Sequence, residues 1–150
     1  MTGRLGLRDL PAVVEAGLFL SLAWLTLLLP PGLLLATAIR RGLRRPVGTA
    51  VELRRAQRLE QATRAVVRRW PANVLCLQRS LALLWLLGRR GIGGQLRIGV
   101  HTGGERFLAH AWIEVAGEPV NDTPAHCGEF LPLEEVGSPV LTLMKTEATA

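Results

Sequence analysis

The sequence predicts an α+β domain in which helices come first and an antiparallel β-meander follows. Three observations predict it. Apolar residues recur at helical spacing across residues 49–69, and the stretch 74–87 is apolar nearly all round. Beyond Gly91-Ile92-Gly93-Gly94 the hydrophobic period becomes two, and two glycine-bearing turns cut the remainder into three short alternating segments. The chain has 150 residues, 49% hydrophobic and 20% charged, a size and composition suited to one core and unsuited to disorder, collagen or a coiled coil.

The first element to justify is the apolar run Ala16–Leu29, which Pro30-Pro31 separates from Gly32–Ile39 and the basic cluster Arg40, Arg41, Arg44 and Arg45. A membrane span needs about 20 unbroken apolar residues, and the proline pair divides this one. A signal peptide would explain Arg4 and Arg8 ahead of the run and the small residues Ala36-Thr37-Ala38, but Glu15 and the prolines interrupt it. The favoured reading is a buried or partner-facing helix pair. Residues 1–45 are thus expected to be an apolar N-terminal helical segment, and residues 46–150 the functional core. With only Cys76 and Cys127 there is no disulfide framework, so the expected compartment is a reducing cytoplasm, with attachment to the inner face of the membrane as the variant reading.

Residues 49–69 carry a helix-start signature, Thr49 with Glu52 three residues on, and Val51, Leu59, Ala62 and Val66 mark its apolar stripe. The opposite face holds Arg54, Arg55, Arg58, Arg64, Arg68 and Arg69. It reads either as a solvated face with a Glu60–Arg64 pair or as a docking surface for an acidic peptide or protein partner. Residues 1–75 hold twelve Arg against Asp9, Glu15, Glu52 and Glu60, while residues 76–150 hold six bases and eight acids, so the formal charge of +6 belongs to the N-terminal half. Seventeen of the eighteen bases are Arg, a bias shared by Leu, Ala and Gly and typical of GC-rich coding, and no aromatics interleave the Arg run. Nucleic-acid binding is therefore not expected.

Trp70-Pro71-Ala72-Asn73 breaks that helix, and Asn73 is expected to cap the next, Val74–Leu87, the central buried helix. Strands are expected over Gln95–Val100, Arg106–Val115 and Glu118–Asp122, joined by Thr102-Gly103-Gly104 and Ala116-Gly117.

Cys76 falls in the first turn of the buried helix, where free backbone N–H groups and the positive end of the dipole stabilise a thiolate. Taken alone it could equally be a small core hydrophobe. His110 lies inside the second strand, with Leu108, Trp112 and Glu114 on its face, and alone it could be a core histidine with a structural hydrogen bond. A three-residue loop, Val115-Ala116-Gly117, with Gly117 left-handed, would set Glu114 opposite Glu118, Trp112 opposite Val120 and His110 opposite Asp122. A two-residue loop would send Asp122 to the other face. Under the bulged register, Cys76, His110 and Asp122 supply nucleophile, general base and base-orienter.

The blocks Cys76-Leu77-Gln78-Arg79-Ser80-Leu81-Ala82, Leu96-Arg97-Ile98-Gly99-Val100, Ala109-His110-Ala111-Trp112-Ile113-Glu114-Val115 and Pro119-Val120-Asn121-Asp122 resemble the transglutaminase-like superfamily, within it the stand-alone leader peptidases of lasso-peptide biosynthesis. The resemblance spans roughly Arg64–Pro132. It implies a papain-like cysteine-protease core with Cys76, His110 and Asp122 as triad, no cofactor, and as substrate a ribosomal precursor peptide whose leader is removed before an ATP-using cyclase closes the macrolactam. It also implies a separate winged-helix leader-recognition protein, since residues 1–45 match no such domain. The oxyanion would be held by the N–H of Cys76 and a second donor, Gln78 or a residue near Trp70. Three other readings remain: acyl transfer to an amine, a non-enzymatic basic adaptor at the membrane, and a metal site from Cys76, His110, His126 and Cys127. The spacing of that last set fits no common zinc pattern, which leaves Cys127 an inert loop thiol and His101 and His126 loop residues.

Overall fold

The computed structural model describes residues 6–28, 48–101 and 108–133. After a 3-10 turn (Leu7–Asp9) come α1 (Leu10–Leu28), α2 (Ala50–Val67), α3 (Cys76–Arg89), β1 (Gln95–His101), β2 (Leu108–Val115), β3 (Glu118–Pro119), α4 (Pro124–Cys127) and β4 (Leu131–Pro132). The α+β expectation is met: the strands form one antiparallel sheet in the order β3-β2-β1-β4, with α3 and α2 packed on it and α1 packed on both helices. Gly32–Ile39, the Arg40–Arg45 cluster, Ala36-Thr37-Ala38 and the Thr102-Gly103-Gly104 turn lie outside the described residues.

α1 starts well before Ala16, and Glu15 has a structural role rather than being an interruption. Its carboxylate reaches Arg90 at 2.6 Å and Arg89 at 3.4 Å, tying α1 to the C-terminal end of α3. Ala16 and Ala23 join the same core as α3. No helix among the described residues is long and apolar enough to cross a membrane.

α2 begins where the capping box predicts. The Thr49 hydroxyl accepts from Glu52 N, and Glu52 Oε2 accepts from Thr49 N at 2.7 Å. The other carboxylate oxygen accepts from Gly93 N at 3.2 Å, which fixes the start of α2 against the loop leading into β1. The buried stripe is Ala56, Leu59, Glu60, Ala62 and Thr63, while Val51 is exposed, so the stripe starts one turn later than its apolar spacing implied. α3 begins at Cys76, not Val74, and Asn73 does not cap it. Gln78 does, its Oε1 accepting from Leu75 N at 2.8 Å. α3 then buries Leu81, Leu83, Leu84, Leu86 and Leu87 against Leu96, Ala111, Ile113 and Val115, the inward faces of β1 and β2. At about 25 cal/mol per Å² of apolar area, burying this layer is strongly stabilising.

The hairpin between β2 and β3 differs from the bulged expectation. Val115 pairs with Glu118 and Glu114 with Pro119, so the loop is the two residues Ala116-Gly117, with φ of 54° and 80°. Both angles belong to the tight mirror-image turn that suits a right-twisted hairpin. Ala116 holds its position against a cost of about 1–2 kcal/mol for an L residue with a Cβ in that region. Ala116→Asn should therefore raise unfolding stability by about 1 kcal/mol in urea titrations, since asparagine tolerates the conformation. β4 pairs with β1 through Gly99 and Val100 and had no sequence signal of its own, being two residues long and ending in proline.

Candidate active site

The site lies on the outward face of β2. His110 and Trp112 are two apart and their rings stack, with centroids 5.9 Å apart and planes 17° from parallel. Phe130 lies over the same imidazole at 5.1 Å. Gly99, opposite His110 in the ladder, makes this cover possible: a Cβ there would sit 2.7 Å from Phe130 Cβ and 3.0 Å from the Trp112 ring.

Asp122 reaches His110 even though the register that was to bring it there does not form. Its Oδ2 lies 2.7 Å from His110 Nε2. The reason is that the strand ends early. Val120 N still donates to Ile113 O, but the next ladder position is taken by a side chain: Asn121 Oδ1 accepts from Ile113 N at 2.7 Å. Asn121 Nδ2 donates to Ser80 Oγ at 2.9 Å, and Ser80 Oγ donates to Ala111 O at 2.9 Å. With Asn121 buried in this clamp, the chain leaves the sheet and Asp122 turns toward His110.

The same carboxylate oxygen accepts a second histidine, His126 Nδ1 at 3.0 Å, while Asp122 Oδ1 accepts from Thr123 N at 2.7 Å. His126 is therefore not a bystander loop residue. Thr123 caps α4 by accepting from His126 N, and Pro124 occupies its first turn. That start places His126 four residues after Asp122, on the same side. The Thr123-Pro124 pair was the available signal. Burial acts to raise the Asp122 carboxyl, but hydrogen bonds from His126, Thr123 N and His110 outweigh it and hold the group below the usual carboxylate range. The hydrogen bond to Asp122 in turn raises His126 above the ordinary histidine value. Cys127 is buried, and that burial, together with the charges of Asp122 and Glu114, pushes its thiol up to about 11, as suits an inert cysteine.

Cys76 occupies the first position of α3 and is half-buried. Ser80, one turn on, bonds Ala111 and Asn121, the neighbours in sequence of His110 and Asp122. The structure joins His110 and Asp122 by a hydrogen bond; among the described residues none joins the Cys76 thiol to His110, and the half-buried Cys76 side chain packs against the edge of the core cluster. Gln78 is buried with its Oε1 committed to Leu75 N, and Trp70 is half-buried in the turn after α2.

Of the arginines expected to dock a partner, Arg54, Arg55, Arg58, Arg64 and Arg68 are all exposed. Arg55 and Arg58 line a cleft of about 410 Å³ together with Arg8, Arg90, Leu59 and Ile92. The Glu60–Arg64 pair is present at 3.8 Å but is secondary. Glu60 is buried, and its principal partner is Arg79 of α3, an ion pair across two helices that the spacing on α2 alone does not reveal.

A sequence profile of the transglutaminase-like superfamily matches residues 19–135. The microcin J25-processing protein McjB of Escherichia coli is 45% identical over 49 residues, which is 33% of this chain and 23% of that protein. The chain thus aligns with about a quarter of that relative's length. No solved structure matches the chain significantly.

Proposed function

Because the chain belongs to the transglutaminase-like superfamily, we propose that it is a cysteine peptidase of lasso-peptide biosynthesis, removing the leader from a ribosomally made precursor through Cys76, His110 and Asp122. The observation that carries the reading is the His110 Nε2–Asp122 Oδ2 contact of 2.7 Å beside a helix that starts on Cys76. The superfamily match supports an enzyme, and the partial similarity to a microcin J25-processing protein supports a peptide substrate.

In this mechanism Asp122 holds Nε2, so Nδ1 is the ring nitrogen that exchanges a proton with the thiol. The Cys76 thiolate attacks the scissile carbonyl, forming a C–S bond. The N–H of Cys76, which has no intrahelical acceptor at the first position, faces the developing oxyanion. Gln78 or Trp70 supplies the second donor; with Gln78 Oε1 held by Leu75 N, its Nε2 is the end that can donate. His110 then protonates the departing core-peptide amine, and water hydrolyses the thioester to a leader carboxylate. The leader arrives bound to a separate winged-helix recognition protein. The exposed arginines of α2, with Arg55 and Arg58 opening onto the cleft, dock that complex, and the cyclase takes the product.

The test is mass spectrometry of a precursor incubated with this chain and the recognition protein. Two fragments whose masses sum to precursor plus water support the peptidase. A cross-linked product formed with loss of ammonia would assign amine transfer instead. Asp122→Asn should lower kcat by about 10²–10⁴-fold, because an amide cannot stabilise the imidazolium.

A further inference from the structure

We propose that His110, Asp122 and His126 form a zinc-binding site through which the ion holds the peptidase inactive. The three ligand atoms, His110 Nε2, Asp122 Oδ2 and His126 Nδ1, all lie within 4.8 Å of one another. Two imidazoles and a carboxylate are a ligand set that zinc takes with a water in the fourth position. With Zn–N of about 2.0–2.1 Å and Zn–O of about 2.0–2.2 Å, tetrahedral ligands sit about 3.3–3.5 Å apart. The contacts of 2.7 Å and 3.0 Å would each open by well under 1 Å to admit the ion, and the two ring nitrogens, now within 4.8 Å of each other, would close to the same spacing by a turn of the exposed His126 side chain.

The surroundings suit a metal as well as a proton. Thr123 N holds Asp122 Oδ1 at 2.7 Å, which aims the other oxygen at both rings, as outer hydrogen bonds do for metal-binding carboxylates. Trp112 and Phe130 flank the His110 ring and shield it, while the His126 side chain is 45% exposed and gives the ion a way in. The paired imidazoles favour zinc over magnesium or calcium, which prefer oxygen. Cys127, buried beside His126, is not among the groups whose ligand atoms converge there.

Binding requires a bare lone pair on each coordinating nitrogen. The proton now facing Asp122 moves to the far ring nitrogen or, from an imidazolium, to solvent. In His110 that places a proton on Nδ1, the atom that must accept from the thiol, so the ion removes both the base and its orienting carboxylate. The inhibitory half rests on the peptidase reading; the binding half does not.

Both halves are testable on the full chain. Co²⁺ is titrated first, its visible bands reporting a four-coordinate site with nitrogen and oxygen ligands, and Zn²⁺ is then used to displace it. His126→Ala and His126→Gln, at a largely exposed position, should fold normally and weaken Zn²⁺ binding by about 100-fold or more, while Cys76→Ala should leave it unchanged. The same Zn²⁺ concentration should stop precursor cleavage by the wild type, whereas each His126 variant should keep whatever rate it shows with a chelator present. Equal binding by wild type and His126 variants, or loss of binding in Cys76→Ala, overturns the site. Normal metal binding in a chain that cleaves no precursor would instead count against the peptidase and leave the metal site standing.

Discussion

Cys76→Ala will reduce precursor cleavage by about 10⁴-fold or more while the protein still associates with the recognition complex and still melts cooperatively. The effect is large because no other residue can provide the acyl-enzyme step: the second cysteine, Cys127, is buried with its thiol pushed up to about 11. The side-chain change itself is mild. Cys76 is half-buried at a helix start whose cap comes from Gln78, so alanine removes neither the cap nor a fully packed core group. The measurement is a time course of precursor mass spectra for wild type and variant with recognition protein present, paired with alkylation by iodoacetamide at about pH 6, where only a thiolate-forming cysteine reacts quickly. Cleavage by the variant at the wild-type rate would remove the peptidase assignment altogether.

Arg79→Ala will destabilise the fold by about 3–5 kcal/mol, the cost of leaving a buried carboxylate without its counter-ion. Glu60 has a side chain only 6% exposed and is held between α2 and α3, and its remaining cation, Arg64, is 3.8 Å away and largely in water. Among the described residues Glu60 Oε2 already lacks a hydrogen-bond partner, so nothing is in place to take over from the guanidinium. For a chain of this length the loss corresponds to a fall of about 10 °C in melting temperature, read by circular dichroism. The double variant Glu60→Leu/Arg79→Met should recover most of it, because apolar side chains of similar volume replace a buried ion pair at little net cost. If both single and double variants melt alike, the pair is not what holds the two helices together.

What the sequence made legible was whatever a few neighbouring residues decide. Thr49 and Glu52 announce the start of α2 because the capping box is complete within four residues. The Cys76 and His110 elements follow from a change of hydrophobic period that is also local. The start of α3 is not legible from a capping side chain, since a leucine stands at the N-cap and Gln78 reaches back to it. The two-residue hairpin is hidden in the sequence because alanine is a poor residue for a left-handed position, so Ala116-Gly117 does not read as a tight turn. Asp122 was expected beside His110 and is there, but through the Asn121 clamp rather than the strand register. Glu60–Arg79 and Asn121–Ser80 join residues 19 and 41 apart, and such pairings are fixed by how helices and sheet stack, which periodicity does not encode.

The Asn121 clamp also gives the turn at Ala116-Gly117 a freedom from the candidate site beside it. Because Asn121 is fastened to Ile113 and Ser80 by its own side chain, the approach of Asp122 to His110 does not depend on counting residues around that tip. The tip is exposed at Gly117, where an added Cβ would meet nothing within 4 Å. It is a natural place to open the chain: a reporter inserted there would leave the His110–Asp122 contact intact.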